Sequence, residues 1–140
     1  MMGVYPIKQT IAIRGDLTMP KGKMCSQVAH ASMGVFQKYL DQVHDLKHEI
    51  GDTTDYLYEY RIPEQMHKWL SGPFAKIVVK VPDLDHILKL HDKAKELGIP
   101  YAMIKDNGTT VFDEPTITCI ALGPWESEVI EELTKEYKLL

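Results

Sequence analysis

The residues Met19-Pro-Lys-Gly-Lys-Met-Cys-Ser-Gln-Val-Ala-His-Ala-Ser-Met-Gly34 predict an amphipathic helix that can pack closely against a sheet. Pro20 suits the first turn of a helix, where its missing N–H donor is not needed. The apolar residues that then recur at helical spacing are Met24, Val28, Ala31 and Val35. A second stripe beside them consists of Cys25, Ala29, Ser32 and Phe36. We therefore predict a helix from Pro20 to about Leu40 whose small side chains allow close packing.

A line of polar side chains runs up the same helix. Lys23, Gln27 and His30 are spaced i, i+4 and i+7, which places them on one face. A cation, an amide and an imidazole that begin at a helix N-terminus suit a phosphate or an ester, because the free N–H groups and the dipole there attract anions. Spacing alone also allows a solvated polar face without a function.

Strands and helices alternate along the rest of the chain. Strands are predicted at Lys8–Arg14, Ala75–Val81, Tyr101–Lys105 and Thr116–Leu122. Further helices are predicted from Pro63 to Leu70, from Pro82 to Gly98 and, after a break at Gly123-Pro124, from Trp125 to about Tyr137. This order predicts a mixed α/β sheet covered by helices, in which the last two strands form an antiparallel hairpin.

Residues 41–71 allow more than one interpretation. Asp41–Ile50 either continues the first helix or starts another, and Tyr56–Tyr60 fits a strand or a helix. His44 and His48 have the spacing of a metal-binding pair on a helix, but a hydrated acidic helix is the favoured interpretation. The aromatic residues that either stack on bases or serve packing are Tyr56, Tyr58, Tyr60 and Trp69.

Composition limits the classes of function. A chain of 140 residues, 44% hydrophobic and 26% charged, suits one domain over residues 1–140 with a substantial core. It has no run as long as a membrane span and no N-terminal signal pattern, so we expect a cytoplasmic protein. Cys25 and Cys119 are then reduced thiols in the core. The net charge of −4 argues mildly against a nucleic-acid partner, although a local basic patch can still bind a polyanion.

A set of motifs in fixed order is shared with a known family. Lys21-Gly-Lys23 followed by Gln27-Val-Ala-His-Ala-Ser32 resembles the signature of the archaeal and eukaryotic type of peptidyl-tRNA hydrolase, the Pth2 family. The resemblance resumes at Ala75–Val81, Ile104-Lys-Asp106, Gly108, Thr110, Ala121-Leu-Gly-Pro124 and Lys138-Leu-Leu140. It covers nearly the whole chain except residues 41–71. The order and spacing of the pieces make it specific.

The resemblance implies a fold and an activity. The fold is a single α/β domain, a four-stranded mixed sheet with helices on both faces, with residues 41–71 as a partly helical insert. The activity is hydrolysis of the ester that joins a peptide to the 3′ ribose of tRNA, without a cofactor or a metal. The implied partner is the acceptor end of peptidyl-tRNA, and the implied assembly is a homodimer that is not bound to a membrane.

The resemblance also implies which residues form the site. Those assigned to catalysis are Lys23, Gln27, His30, Asp106 and Thr110. Those assigned to substrate binding are Lys21, Ser26, Gly108 and Thr118. Structural alternatives stay open for three of them: a backbone-bonded helix histidine at His30, an ordinary hairpin turn at Asp106–Gly108 and an ordinary strand residue at Thr118.

Our hypothesis for the mechanism places Asp106 at the end of its strand, facing the N-terminal end of the first helix. There, Lys23 holds the carboxylate over a water-accessible cleft, and Asp106 orients or deprotonates the attacking water. Gln27, Thr110 or Lys23 donates to the developing oxyanion. Lys21 and the helix N-terminus hold a phosphate of the tRNA.

The chain departs from the family in the turn that follows Lys105. The family has Asp-Ala-Gly-Arg-Thr-Gln there, whereas this chain has Asn107, Thr109 and Val111 at three of those positions. Because Thr109 takes the place of the family's arginine, a phosphate contact is lost. We expect this loss to affect tRNA affinity more than the hydrolytic centre. Two other functions therefore stay open. One is a non-catalytic RNA- or phosphate-binding module, and the other is a regulatory protein that uses residues 41–71 as a partner surface.

Overall fold

The computed structural model describes residues 5–46 and 54–140, which form an α/β domain. The strands are β1 (Ile7–Arg14), β2 (Leu40–Asp45), β3 (Tyr56–Tyr60), β4 (Lys76–Val81), β5 (Tyr101–Asp106), β6 (Thr116–Glu126) and β7 (Lys138–Leu139). The helices are α1 (Lys21–Gln37), α2 (Glu64–Leu70), α3 (Leu84–Leu97) and α4 (Ser127–Thr134). None of these helices is both long enough and apolar enough to cross a membrane.

The main sheet of the described residues has the strand order β5-β6-β1-β4-β7. β1 and β4 are parallel and the other neighbours are antiparallel, so the predicted mixed sheet is confirmed. The predicted number of four strands is wrong, because β7 adds a fifth strand beside β4. Leu139 pairs with Val79, and the Leu140 N–H donates to the Val78 carbonyl at 3.0 Å. This pairing satisfies backbone groups that β4 would leave open at a sheet edge.

Helices cover both faces of this sheet, as predicted. α1 and α2 pack on the face that carries Ile11 and Ile13 of β1. α3 and α4 pack on the opposite face, which carries Ala12. β1 is thus buried on both sides, and this explains why Ile11–Ile13 is apolar without a polar residue in alternation.

The predicted bounds of the last helix are wrong, because part of it belongs to a strand. β6 continues past Gly123-Pro124 and pairs Trp125 with Lys8, so α4 begins only at Ser127. The register between β1 and β6 shifts between Lys8 and Thr10. Such an irregularity accommodates Pro124, which has no N–H to donate to the ladder.

The helical prediction for Asp41–Asp45 is also wrong. α1 ends at Gln37 rather than near Leu40, and β2 pairs with β3 as a separate antiparallel sheet with Val43 opposite Tyr58. Aromatic and β-branched residues favour a strand when a partner strand is present. The ring of Tyr60 stacks on Phe36 of α1 with centroids 4.1 Å apart, which attaches this hairpin to the domain.

The later part of the insert agrees with its prediction. α2 confirms the helix predicted after Pro63, and it places Met66 and Trp69 in the protein interior. The insert is therefore partly helical, but its helical part is α2 rather than the segment after Leu40. Residues 47–53, which include the rest of the helix predicted over Asp41–Ile50, lie outside the described residues.

The two cysteines differ in their surroundings. Cys119 is buried in the core, as predicted, and burial raises the pKa of its thiol to about 11. Cys25 is exposed, so its predicted place in the core is wrong. The stripe of small residues that contains Cys25 lines an open apolar groove of about 600 Å³ between α1 and α2, and only its later part reaches the sheet, where Ser32 donates to Gln9.

Candidate active site

The ends of two strands bring two predicted site residues together at one edge of the sheet. β6 is antiparallel to both β1 and β5, so these two strands run in the same direction and end at the same edge. α1 follows β1 and begins at that edge, opposite Asp106, the last residue of β5. Lys23, in the first turn of α1, donates from Nζ to Asp106 Oδ1 at 2.5 Å. The Lys23 and Asp106 side chains are 13% and 10% exposed, so water reaches the pair.

Thr110 joins this pair from the loop that follows β5. Lys23 Nζ donates to Thr110 Oγ1 at 2.8 Å. An ammonium group has three N–H donors, so, within the described residues, one donor of Lys23 is left without an acceptor. The Thr110 oxygen accepts from Lys23, and its own O–H is therefore free to donate to another group.

The Asp106 carboxylate is held by donors on both oxygens. Oδ1 accepts from Lys23, and Oδ2 accepts from the Gly108 N–H at 2.9 Å. The Lys23 hydrogen bond is the main cause that holds the pKa of Asp106 below its ordinary value of 3.8. The Gly108 N–H bond and the charges of Lys23 and His30 lower this pKa further. Asp106 is therefore a carboxylate at neutral pH.

Gly108 gives the loop a turn that no other residue adopts easily. Its φ of +79° lies in the left-handed region, and a Cβ atom here would lie 2.5 Å from the carbonyl carbon of Glu114. This conformation aims the Gly108 N–H at Asp106. The glycine is thus required by the backbone that holds the carboxylate.

Replacing Gly108 with alanine is expected to lower the free energy of unfolding by at least roughly 1–2 kcal/mol, the cost of a left-handed conformation for an L-residue. Urea unfolding measures the difference. Gly22→Ala is the matched control, because a Cβ at Gly22 meets nothing within 4 Å. An equal loss of stability in both variants would contradict this account.

Gln27 lies one helical turn after Lys23 but is only 2% exposed, so the predicted polar line is not a uniformly solvated face. Its Oε1 accepts a hydrogen bond from Thr118 Oγ1 at 2.6 Å. Its backbone oxygen accepts from the Cys119 thiol at 3.4 Å. Sequence reasoning missed the Cys119 contact, because an apolar strand position carries no signal for it.

Three other predicted residues lie on the exposed part of α1. Ser26 Oγ is 3.4 Å from His30 Nε2, one helical turn away, and neither side chain is bonded to Asp106 in the described part of the chain. Lys21 is the exposed first residue of α1. The first turn of α1 has no side-chain cap and no acidic residue, so its N–H groups are open to an anion.

Comparison with known proteins supplies the family. A sequence profile described as Peptidyl-tRNA hydrolase PTH2 matches residues 7–140. The chain belongs to the PTH2 family. Proteins named Peptidyl-tRNA hydrolase from Sulfurisphaera tokodaii, Methanopyrus kandleri and Saccharolobus islandicus are 40%, 34% and 33% identical to it. The matches cover 95%, 95% and 96% of this chain and 98%, 97% and 99% of those relatives.

One departure from the PTH2 pattern lies at the rim of the site. Thr109, for which the resemblance implies an arginine, is exposed beside Thr110. Asp113 and Glu114 follow in the same loop and are exposed as well. The loop of residues 107–115 therefore has two carboxylates and no cation of its own, which disfavours an anion on this side of the site.

The predicted features of the insert do not join this site. His44 lies in β2 rather than on a helix, with Nε2 3.8 Å from Glu59 Oε1, and His48 lies outside the described residues. Trp69 serves packing, as its Nε1–H donates to the Ala75 carbonyl at 2.8 Å. Tyr56 and Tyr58 are exposed on β3.

Proposed function

We propose that this protein hydrolyses the ester between a peptide and the 3′ ribose of tRNA, releasing the peptide and free tRNA. The observation that carries the proposal is the contact of Lys23 with Asp106 and Thr110 at an open edge of the sheet, in a chain of the PTH2 family. Ester hydrolysis needs an oriented water, donors for the developing oxyanion and a hold on the substrate. Separate groups along this edge suit each of these tasks.

Asp106 is the group that orients the water. Each of its oxygens accepts one hydrogen bond, from Lys23 or from Gly108, and keeps a lone pair for a water O–H. A general base works best when its pKa lies near the working pH, whereas the pKa of Asp106 is lowered. We therefore assign to Asp106 the alignment of the water. The proton that the water loses ends on the 3′ oxygen of the ribose as that oxygen leaves.

Two donors at this edge are open to the developing oxyanion, the third N–H of Lys23 and the O–H of Thr110. The amide nitrogen of Gln27, one turn further along α1 and 2% exposed as a residue, is a third candidate. Lys23 also carries the positive charge that a developing negative charge requires. Donors that are already aligned before the reaction stabilise the transition state without reorganisation, which supports a catalytic rather than a binding role.

The phosphates of the acceptor end are assigned to the N-terminal end of α1. Lys21 and the uncapped N–H groups of the first turn give this end a local positive potential. The chain as a whole has a net charge of −4, so binding depends on this local patch. We accordingly expect few phosphate contacts and a shallow dependence of affinity on salt.

Replacing Thr109 with arginine is expected to lower KM for peptidyl-tRNA without changing kcat, because it returns a cation to the rim. The slope of log affinity against log salt concentration should steepen by about 1. Steady-state kinetics over a salt series measures both quantities. Thr109→Gln is the matched control, since it adds length without charge. An unchanged KM and slope in the arginine variant would show that this rim does not face phosphate.

The decisive experiment is release of a labelled peptide from peptidyl-tRNA by the purified protein, with peptide and intact tRNA quantified. Multiple turnovers by the wild-type protein, and release at least about 100-fold slower by Asp106→Asn, would support the proposal. Binding of peptidyl-tRNA without release would favour a non-catalytic RNA-binding module. Neither binding nor release would favour a regulatory protein.

A homodimer in the cytoplasm completes the proposal. The resemblance to the family supports the dimer, and so do exposed apolar side chains at the groove between α1 and α2. These are Met33, Leu70 and Phe74, with 59%, 39% and 45% of their surface exposed. Sedimentation equilibrium over a range of concentrations tests this part, and a monomer throughout would remove it. The cytoplasmic location follows from the proposed substrate, which arises during translation.

A further inference from the structure

A buried hydroxyl behind the candidate site holds the side chain of Gln27. Thr118 is fully buried, and its Oγ1 donates to Gln27 Oε1 at 2.6 Å. Gln27 is 2% exposed as a residue, but among the described residues its Nε2 atom is neither bonded to an acceptor nor completely shut off from solvent. Thr118 therefore has no surface with which to contact a substrate in the cleft, and whatever it contributes must pass through Gln27.

A β-bulge turns Thr118 toward α1. Ile104 pairs with Cys119 and Lys105 pairs with Ile117, so Thr118 is the extra residue of β6. In a regular strand Thr118 and Cys119 would point to opposite faces. Here both hold the same residue of α1, the first through the Gln27 side chain and the second through its backbone oxygen. Bulges beside active sites redirect side chains in this way.

The hydrogen bond from Thr118 determines which end of the Gln27 amide is available. Oε1 is occupied by the Thr118 hydroxyl. Within residues 5–46 and 54–140, no acceptor is bonded to Nε2. Gln27 follows Lys23 by one turn on the same face of α1, so the two side chains are neighbours along the helix surface. The amide nitrogen, a donor, is thus the atom left for a substrate.

We infer that Thr118 is a positioning residue for ester hydrolysis. It holds the Gln27 amide so that the N–H₂ group, and not the oxygen, stands next to Lys23 as a donor to the oxyanion. The inference rests on the proposed function. It assigns to Thr118 an action through Gln27, whereas the resemblance to the family implied that Thr118 binds substrate.

Thr118→Val tests the inference, because valine has nearly the same shape and lacks the hydroxyl. kcat for peptide release should fall by about the same factor as in Gln27→Ala, on the order of 100-fold, with KM nearly unchanged. Thr118→Ser, which keeps the hydroxyl, should restore most of kcat. The double variant Gln27→Ala/Thr118→Val should be no slower than Gln27→Ala. Wild-type kcat in Thr118→Val, or losses that multiply in the double variant, would overturn the inference.

Gln27→Glu provides a second test that leaves Thr118 in place. One glutamate oxygen can still accept from Thr118, but the other presents an acceptor to the oxyanion in place of a donor. kcat should fall at least as far as in Gln27→Ala. Activity close to that of the wild type would show that the amide nitrogen is not the group used.

The Gln27 side-chain amide signals in a ¹⁵N NMR spectrum separate this inference from the proposed function. The signals are assigned as the pair that disappears in Gln27→Ala. They should shift in Thr118→Val and stay in place in Thr118→Ser. If the wild type releases no peptide, the proposed function fails. If the Gln27 signals are the same in Thr118→Val and in the wild type, the positioning role fails.

Discussion

Asp106→Asn is expected to reduce kcat for peptide release by at least about 100-fold while the protein stays folded. Two donors, the Lys23 ammonium and the Gly108 N–H, point at the carboxylate. An asparagine has one acceptor oxygen and one donor nitrogen, so one of these donors must face another donor. The water loses its acceptor, and Lys23 loses the charge that fixes it. Single-turnover peptide release, with circular dichroism as the test of folding, measures the effect.

Asp85→Asn is the matched control for this variant, since it makes the same change at an exposed position of α3 on the opposite face of the sheet. The difference in stability between wild type and Asp106→Asn should also depend on pH. The folded-state pKa of Asp106 is lowered, so its contribution is present above the ordinary value of 3.8 and is lost as the pH falls through the lowered pKa. Thermal unfolding should therefore show a constant difference between about pH 5 and 8 and a shrinking one in stronger acid. Near-normal turnover in Asp106→Asn would remove Asp106 from the reaction.

Lys23→Ala is expected to cause a loss of the same order, at least about 100-fold in kcat. Among residues 5–46 and 54–140, Lys23 is the one side chain of α1 that is hydrogen-bonded to both Asp106 and Thr110. Without it the carboxylate loses its main partner, Thr110 loses the donor that orients its hydroxyl, and the oxyanion loses a positive charge. Peptide release at saturating peptidyl-tRNA isolates kcat from any change in binding.

Lys89→Ala, an exposed position on α3, controls for the loss of one positive charge from a protein that binds a polyanion. It should leave kcat unchanged. If Lys23→Ala raised KM alone and left kcat intact, Lys23 would hold phosphate and take no part in stabilising the oxyanion. Added methylamine restoring part of kcat would support the assigned role.

Much of the fold follows from local patterns. α3 is an example, because its start and its end are both set by neighbours in the chain. Asp83 accepts from the His86 N–H at 3.2 Å, and Gly98 ends the helix with a φ of +71°. The apolar run at Ile11–Ile13 likewise predicts a buried strand without knowledge of its partners. In these segments the features that set the secondary structure lie within a few residues of one another, so the sequence pattern is enough to predict it.

The errors lie where a distant partner overrides the local pattern. Gly123-Pro124 predicts the end of a strand, but the pairing of Trp125 with Lys8 extends β6 past Pro124. The local pattern around Val43 predicts a helix, but Val43 pairs with Tyr58 of β3 and lies in a strand. In both places the free energy of strand pairing comes from residues far along the chain, and a local reading does not include it.

The resemblance of motifs in fixed order was enough to name the family and the chemical groups of the candidate site. Helix spacing and turn chemistry were enough to group Lys23 with Gln27 and Asp106 with Thr110. The folded chain was needed to establish that Lys23 contacts Asp106 and Thr110, that a bulge turns Thr118 to Gln27, and that Cys25 is exposed. The physical reason is the range of the interactions. Helix spacing and turn chemistry act over a few residues, whereas the register of β5 on β6 and the seating of α1 on the sheet exist only once the whole sheet has formed.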